Sequence, residues 1–443
     1  MKKYLIVGAN AAGLSAAVRI RKQHKDASIT VLEKSEVISF GACGIPYYIG
    51  GEFDDLDRMS AREYSDFVKL GIEIKLNHTV IAVDTDQKRV KAIDAAGSES
   101  DFEFEMLLLA SGASPIKPTI EGIDLPNCFT MHSQADAINI KKALNTTDKV
   151  AIIGGGFIGI EAAEAFKLQG KFVTLIEYSP NLLARTFDPE ITDLLTQELK
   201  NSGVEVLTEH KVLKIAKSGP YLKVITDKVA IEVDTVILAV GFKPNTDFLS
   251  NTDITLNEQG AILINEYCQT TAPNIYAAGD CAIVPHRISK NSYIPLATTA
   301  NKLGRLAGEN MSGNQKAFIG TLGASGIRVF SLEAGRVGIT EKDAKNANLD
   351  YATVFIKDKN RTDYVLPQTD IVIKLIYHKI TKKLLGGQIC GSYEGGAIGR
   401  VNALSVAIYS GITVEELGSM DFVYAPPFAR TWDALNIAGN VAK

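Results

Sequence analysis

The sequence predicts an α/β protein with two Rossmann-like dinucleotide-binding units followed by a third, α+β domain. Three observations carry that expectation. A strand, glycine-rich turn, helix and second strand open the chain; the same series returns in mid-chain; and beyond about Gly320 strands begin to alternate with helices in a different pattern. A chain of 443 residues is also too long for one hydrophobic core and has room for about three domains.

The first unit starts with the apolar run KYLIV at residues 3 to 7. The turn Gly8-Ala-Asn-Ala-Ala-Gly13 follows, then a helical stretch from Leu14 to about His24, a β run from Ser28 to Leu32, and Glu33. An acid about 20 residues past the last glycine suits a βαβ unit that lays a pyrophosphate on a helix N-terminus and holds a ribose through the carboxylate. Asn10 stands where the middle glycine of that pattern is expected. The second unit is more regular: Lys149 to Ile153 as a strand, Gly154-Gly-Gly156-Phe-Ile-Gly159 as the turn, a helix through about Gln169, a strand from Phe172 to Ile176, and Glu177. One such turn is weak evidence, but two in matching context imply two dinucleotides.

The segments Leu107 to Pro115 and Val236 to Asn245 are apolar strands broken by Gly and then Pro, and read as crossovers between domains. Thr271 to Asp280 forms a strand leading into Gly-Asp, and Pro295 to Lys302 opens another helix. Strands are then expected at Tyr351 to Ile356, Ile371 to Tyr377 and Leu384 to Cys390, and helices at Ile398 to Tyr409 and Thr413 to Leu417. The expected division is 1–115 with 243–317, 116–242, and 318–443.

Composition removes several function classes. A net charge of -4 gives no basic field to gather nucleic acid or anionic lipid. No apolar run is long enough to cross a bilayer, and the N-terminus runs into a strand instead of a signal segment, so a cytoplasmic protein is expected. The cysteines Cys43, Cys128, Cys268, Cys281 and Cys390 are scattered without C-x-x-C or metal-ligand spacing, so neither zinc nor a disulfide scaffold is expected.

With these motifs the chain resembles, over its whole length, the two-dinucleotide-domain flavoprotein reductases related to glutathione reductase. That resemblance implies FAD held by Gly8, Ala12, Gly13, Glu33, Lys34, Val80, Ser111, Gly112, Asp280, Pro295, Ala297 and Thr298. It implies a nicotinamide cofactor on Gly154, Gly156, Ile158, Gly159, Glu177 and Gly241. A carboxylate accepts hydrogen bonds from a ribose 2′-OH and repels a 2′-phosphate, so Glu177 favours NADH; Tyr178 and Ser179 leave NADPH open.

Within Ser39-Phe-Gly-Ala-Cys-Gly-Ile-Pro-Tyr47 there is a single cysteine, where glutathione-type reductases carry two. The chain is therefore similar to the group containing coenzyme A disulfide reductase, NADH oxidase and NADH peroxidase. Asn10 replaces the histidine that the oxidase and peroxidase members keep in the first turn. Tyr424-Ala-Pro-Pro-Phe428 matches the C-terminal motif of the disulfide reductases, and Tyr364 lies where their other tyrosine is expected. The resemblance thus implies reduction of coenzyme A disulfide through a Cys43 mixed disulfide, with a C-terminal dimerisation domain bringing the tyrosines to the partner subunit of a homodimer.

Pro46 is tolerated only in the first turn of a helix, which places Cys43 there, where the helix dipole and a nearby oxidised flavin would lower its pKa. Glu161 is expected to project from the first turn of the second unit's helix, either to position the nicotinamide or merely to complement the dipole. Arg19 and Lys22 share a helix face and, with Arg62 and Asn301, are expected near the coenzyme A phosphates; solvated surface charge is the competing reading. Ser39 either hydrogen-bonds the pantetheine arm or caps the helix. Rival activities are an oxidase or peroxidase cycling Cys43 through sulfenic acid, a persulfide or polysulfide reductase, and a redox sensor without rapid turnover.

Overall fold

The computed structural model describes residues 2–442, apart from the side chains of 290 and 291. Four of the five residues in the opening strand, Lys3–Val7, are buried, which only a strand sandwiched on both faces can satisfy. It sits at the centre of a parallel sheet ordered Ile275–Ala277, Met106–Leu109, Lys3–Val7, Ser28–Leu32, Glu73–Lys75. The second sheet repeats the plan as Glu205–Leu207, Phe172–Ile176, Lys149–Ile153, Thr235–Leu238, Cys128–Thr130, again all parallel. Each carries a three-stranded antiparallel flap in addition.

The two crossover segments pair with each other. Ala113–Pro115 runs antiparallel to Phe242–Pro244, and Asn245 ties the link shut, its amide donating to the Ser111 carbonyl at 2.9 Å. A chain that leaves the first sheet at Leu109 therefore returns to it beside the same strand.

Helix Ala11–Gln23 begins three residues before the expected Leu14, because Ala11, Ala12 and Gly13 are small enough to lie against a neighbour. That neighbour is the helix Ala297–Met311, whose Gly304 and Gly308 face the backbone at Ala12 and Ala16 so closely that a Cβ at either glycine would collide with it. The helix that starts near Pro295 is thereby locked to the first glycine-rich turn.

The third domain is a five-stranded antiparallel sheet ordered Ser325–Val329, Leu332–Gly338, Leu384–Ser392, Asp370–His378, Tyr351–Lys359. Helices Ala397–Ser410, Val414–Ser419 and Ala434–Val441 bury Val401, Leu404, Leu417 and Leu435 against it. The first two of those strands and the last helix were not expected from the sequence. Among the described residues no helix is long and apolar enough to cross a membrane.

Lys374 fastens this sheet to the second unit. Its ammonium, 2% exposed, lies 2.8 Å from Glu190, 2.6 Å from Glu341 and 3.5 Å from Asp188. Burial alone would lower its pKa, but the hydrogen bonds to Glu190 and Glu341 outweigh that and raise it. Asp188 also accepts from the Gln388 side-chain amide at 2.6 Å. Removing the cation would leave a buried carboxylate without its counter-charge, so Lys374→Met is expected to cost about 3 kcal/mol of stability at neutral pH. Thermal melts of the two proteins check this, and an unchanged melting temperature would show the cluster to be dispensable.

Candidate functional site

The two glycine-rich turns are built alike at their first and last glycines. Gly8 adopts φ +105° and Gly154 φ +110°, and in each a Cβ would strike the carbonyl of a neighbouring strand end, Ala110 or Ala239. A Cβ at Gly13 or Gly159 would in turn strike the carbonyl of Gly8 or Gly154. The acid of each unit closes the turn: Glu33 accepts from the N–H of Ala9 at 2.8 Å and of Ser35 at 3.0 Å, and Glu177 from Gly155 and Ser179, both at 2.6 Å. Gly156 has open space where a Cβ would stand.

Neither helix N-terminus has a side-chain cap or an acidic residue in its first turn. Uncapped N–H groups at a positive dipole end fit a pyrophosphate, so both turns suit a dinucleotide. Ile158 lies in the first turn of the second helix, and Gly241, at φ +114°, lies in the link between the strand Thr235–Leu238 and the strand Phe242–Pro244.

Around the first turn the fold collects most of the other residues expected there. Ala12 is buried against Gly279 and Gly304, which brings Asp280 and the start of helix Ala297–Met311 alongside. Pro295, Ala297 and Thr298 are exposed at that start, and no side chain caps it among the described residues. Ser111 donates to the Asn245 carbonyl at 2.6 Å, and Gly112 holds φ +68° with open space beside it. Burial pushes the Asp280 carboxyl up to about 6. Lys34 is exposed after Glu33, and Val80 is half-buried on Thr79–Asp84.

Cys43 lies one turn earlier than expected. It occupies the short 3-10 turn Ala42–Gly44, and the α-helix proper, Ile45–Gly50, starts after it with Pro46 in its first turn. Cys43 is exposed as a residue, whereas Cys268, Cys281 and Cys390 are buried and Cys128 half-buried. The expected low pKa is reversed: desolvation in its cleft, then the charges of Glu161 and Asp280, push the Cys43 thiol up. Desolvation is the largest of these causes, and both acids add to it by disfavouring the thiolate.

Glu161 stands in the second turn of helix Phe157–Leu168, not the first, and so does not act as a dipole complement. Burial, reinforced by Glu164, pushes it up to about 7. Tyr47 donates to its Oε1 at 3.5 Å, and burial pushes that phenol up to about 12. Tyr47, Glu164 and Arg328, none of them expected, complete a polar cluster beside the cysteine turn.

The remaining expected residues have the following surroundings. Tyr364 and Tyr424 hydrogen-bond each other, which raises the Tyr424 pKa. Both are exposed on the third domain, and the charges acting on Cys43 within the chain are those of Glu161 and Asp280 instead. Arg19 is held by Glu309 at 2.8 Å, so it does not share a free basic face with the exposed Lys22. Arg62 lies over the Phe67 ring at 5.9 Å. Asn301 accepts from the Ser15 hydroxyl at 2.9 Å. Ser39 has φ +56° and caps no helix, the two N-caps here being Gly41 and Gly44.

The chain is similar to known proteins over nearly its whole length. The family model for pyridine nucleotide-disulphide oxidoreductases matches residues 2–304, and that for the dimerisation domain of the same enzymes matches residues 325–435. An NAD(P)H coenzyme A polysulfide/persulfide reductase of Pyrococcus horikoshii is 37% identical over 446 residues, covering 100% of this chain and 98% of that protein. The solved structure of an NAD-dependent persulfide reductase from A. fulgidus aligns with a TM-score of 0.95 at 34% identity, over 99% of this chain and 82% of the other. A water-forming NADH oxidase from Lactobacillus brevis, bound to NADH, aligns with a TM-score of 0.96 at 32% identity, over 99% and 98% of the two chains.

Proposed function

Because the chain belongs to the pyridine nucleotide-disulphide oxidoreductase family, we propose that it is a cytoplasmic, homodimeric reductase using NAD(P)H and FAD to cleave the disulfide of coenzyme A at Cys43. The observation that carries this reading is that Cys43 is the one exposed cysteine, and that the charges of Glu161, on the nicotinamide-side helix, and of Asp280, on the flavin side, both act on its thiol. The other four cysteines are partly or fully buried, and burial raises all their pKa values.

Gly8, Gly13, Glu33 and Asp280 would hold FAD, and Gly154, Gly156, Gly159 and Glu177 the nicotinamide nucleotide. When bound, the flavin supplies the relay that turns a hydride into an electron pair for sulfur. The chain's own residues do the rest. In the resting form the Cys43 sulfur is joined to coenzyme A. The electron pair breaks that S–S bond, leaving two thiolates, of which the coenzyme A thiolate departs and takes a proton. The Cys43 thiolate attacks one sulfur of a fresh coenzyme A disulfide, expels the second coenzyme A thiolate and restores the mixed disulfide. One NAD(P)H and one proton thus yield two thiols.

Tyr364 and Tyr424 would stabilise or protonate the departing thiolates at the partner's Cys43. The dimerisation-domain match fits a homodimer, and Val423, Phe428 and Trp432, exposed beside Tyr424, give that face an apolar surface to bury. Persulfide reduction is supported by the P. horikoshii and A. fulgidus relatives, and would use the same thiol on a coenzyme A persulfide. Anaerobic turnover with coenzyme A disulfide is the test: two thiols should appear for each NAD(P)H consumed. NADH consumption that requires oxygen and yields no thiol would overturn the reading.

A further inference from the structure

Arg328 stands on Ser325–Val329, the edge strand of the third sheet, and reaches across to the nicotinamide-side helix. Its Nε donates to Glu164 Oε1 at 2.9 Å, while the N–H of Phe330 donates to Glu164 Oε2 at 3.0 Å. The guanidinium also pairs with Glu52 and lies 5.4 Å from the Tyr47 ring centre and 5.5 Å from that of Tyr393. Glu164 follows Glu161 by three positions, so both carboxylates share one helix face, and Tyr47 bridges to Glu161 from the helix that follows Cys43. Together Tyr47, Glu52, Glu161, Glu164 and Arg328 line one small cavity.

We propose that Arg328 is a positioning residue for Cys43: delivered by the third domain, its guanidinium holds Glu164 and Tyr47 and thereby sets the place and the charge of the Glu161 carboxylate beside the thiol. The inference rests on the reading of Cys43 as the reactive cysteine. The charged and titratable groups around Glu161 are Glu164 on its own helix, Tyr47 and Cys43 from the cysteine turn and the helix after it, and Arg328 from the sheet, with Glu52 beyond it. Glu164 raises the Glu161 pKa, whereas Tyr47 and Arg328 lower it. Without the guanidinium, Glu164 is unopposed and Glu161 takes its proton at higher pH. A charged Glu161 raises the Cys43 pKa, so its protonation state feeds directly into thiolate reactivity.

The experiment measures the rate of Cys43 alkylation by iodoacetamide against pH in the full-length, flavin-loaded, dithiothreitol-reduced protein. The unmodified protein should show an inflection at about 7 that disappears in Glu161→Gln. Arg328→Met should move it up by about one pH unit, the size expected on losing an opposite charge, and Arg328→Lys by less. Glu164→Gln should move it down, which keeps a test available should Arg328→Met fold poorly. In the Glu161→Gln background Arg328→Met should change nothing further. An inflection that stays in place in a folded Arg328→Met protein, or that moves equally without Glu161, overturns the inference. If Glu161→Gln leaves the profile unaltered, the coupling of Glu161 to Cys43 fails with it, and if Cys43 is not alkylated in any form the reading of the site itself fails.

Discussion

Cys43→Ser is expected to abolish disulfide reduction, with a loss of at least ~10³-fold in kcat, the scale on which removal of a covalent nucleophile is felt. A serine hydroxyl neither ionises near neutral pH nor forms a mixed disulfide. No other thiol can replace it, since Cys268, Cys281 and Cys390 are buried and Cys128 is half-buried with a pKa pushed up to about 11. The variant should keep its flavin and its nucleotide affinity, because the side chain belongs to neither glycine-rich turn. Anaerobic turnover beside the flavin-to-protein absorbance ratio checks both halves. Retained turnover would remove Cys43 from the chemistry altogether.

The duplicated turns give the second large effect, and it is selective. Alanine at Gly8 or Gly154 must hold φ above +100° while its methyl meets the Ala110 or Ala239 carbonyl. Strain of this kind costs about 1–3 kcal/mol, or roughly tenfold and more in affinity, before the clash is counted. Gly8→Ala should therefore purify with depleted flavin. Gly154→Ala should retain flavin but show a KM for the nicotinamide nucleotide raised about tenfold or more. Flavin content and nucleotide titrations distinguish the two, and the opposite pattern would reverse the assignment of the units.

The four core strands Lys3–Val7, Ser28–Leu32, Lys149–Ile153 and Phe172–Ile176 have the bounds read from the sequence, because each is an apolar run ending at a glycine or an acid. Ser325–Val329 and Leu332–Gly338 carry glycine, arginine and glutamate within short runs, and their strand character comes from pairing with Leu384–Ser392 and with each other, which no local pattern announces. The same holds for the site. Cys43, Glu33, Glu177 and the paired glycines stand in motifs. Arg328 and Glu164 do not, because their meaning arises where the third sheet lands on the nicotinamide-side helix. Tyr47 sat inside the cysteine motif, but its bond to Glu161 depends on packing between two helices. The upward shift of Cys43 has the same origin, since a dipole is visible in the pattern of a helix whereas desolvation and two acids far away in the sequence are not.

The most direct test of the central claim is the intact mass of the protein purified without added thiol, taken under non-reducing conditions and again after dithiothreitol. A Cys43 that works through a mixed disulfide predicts the loss of one coenzyme A per chain on reduction, with no such loss from Cys43→Ser. Oxygen atoms added at Cys43, without coenzyme A, would contradict the account and assign the protein to oxygen or peroxide reduction instead.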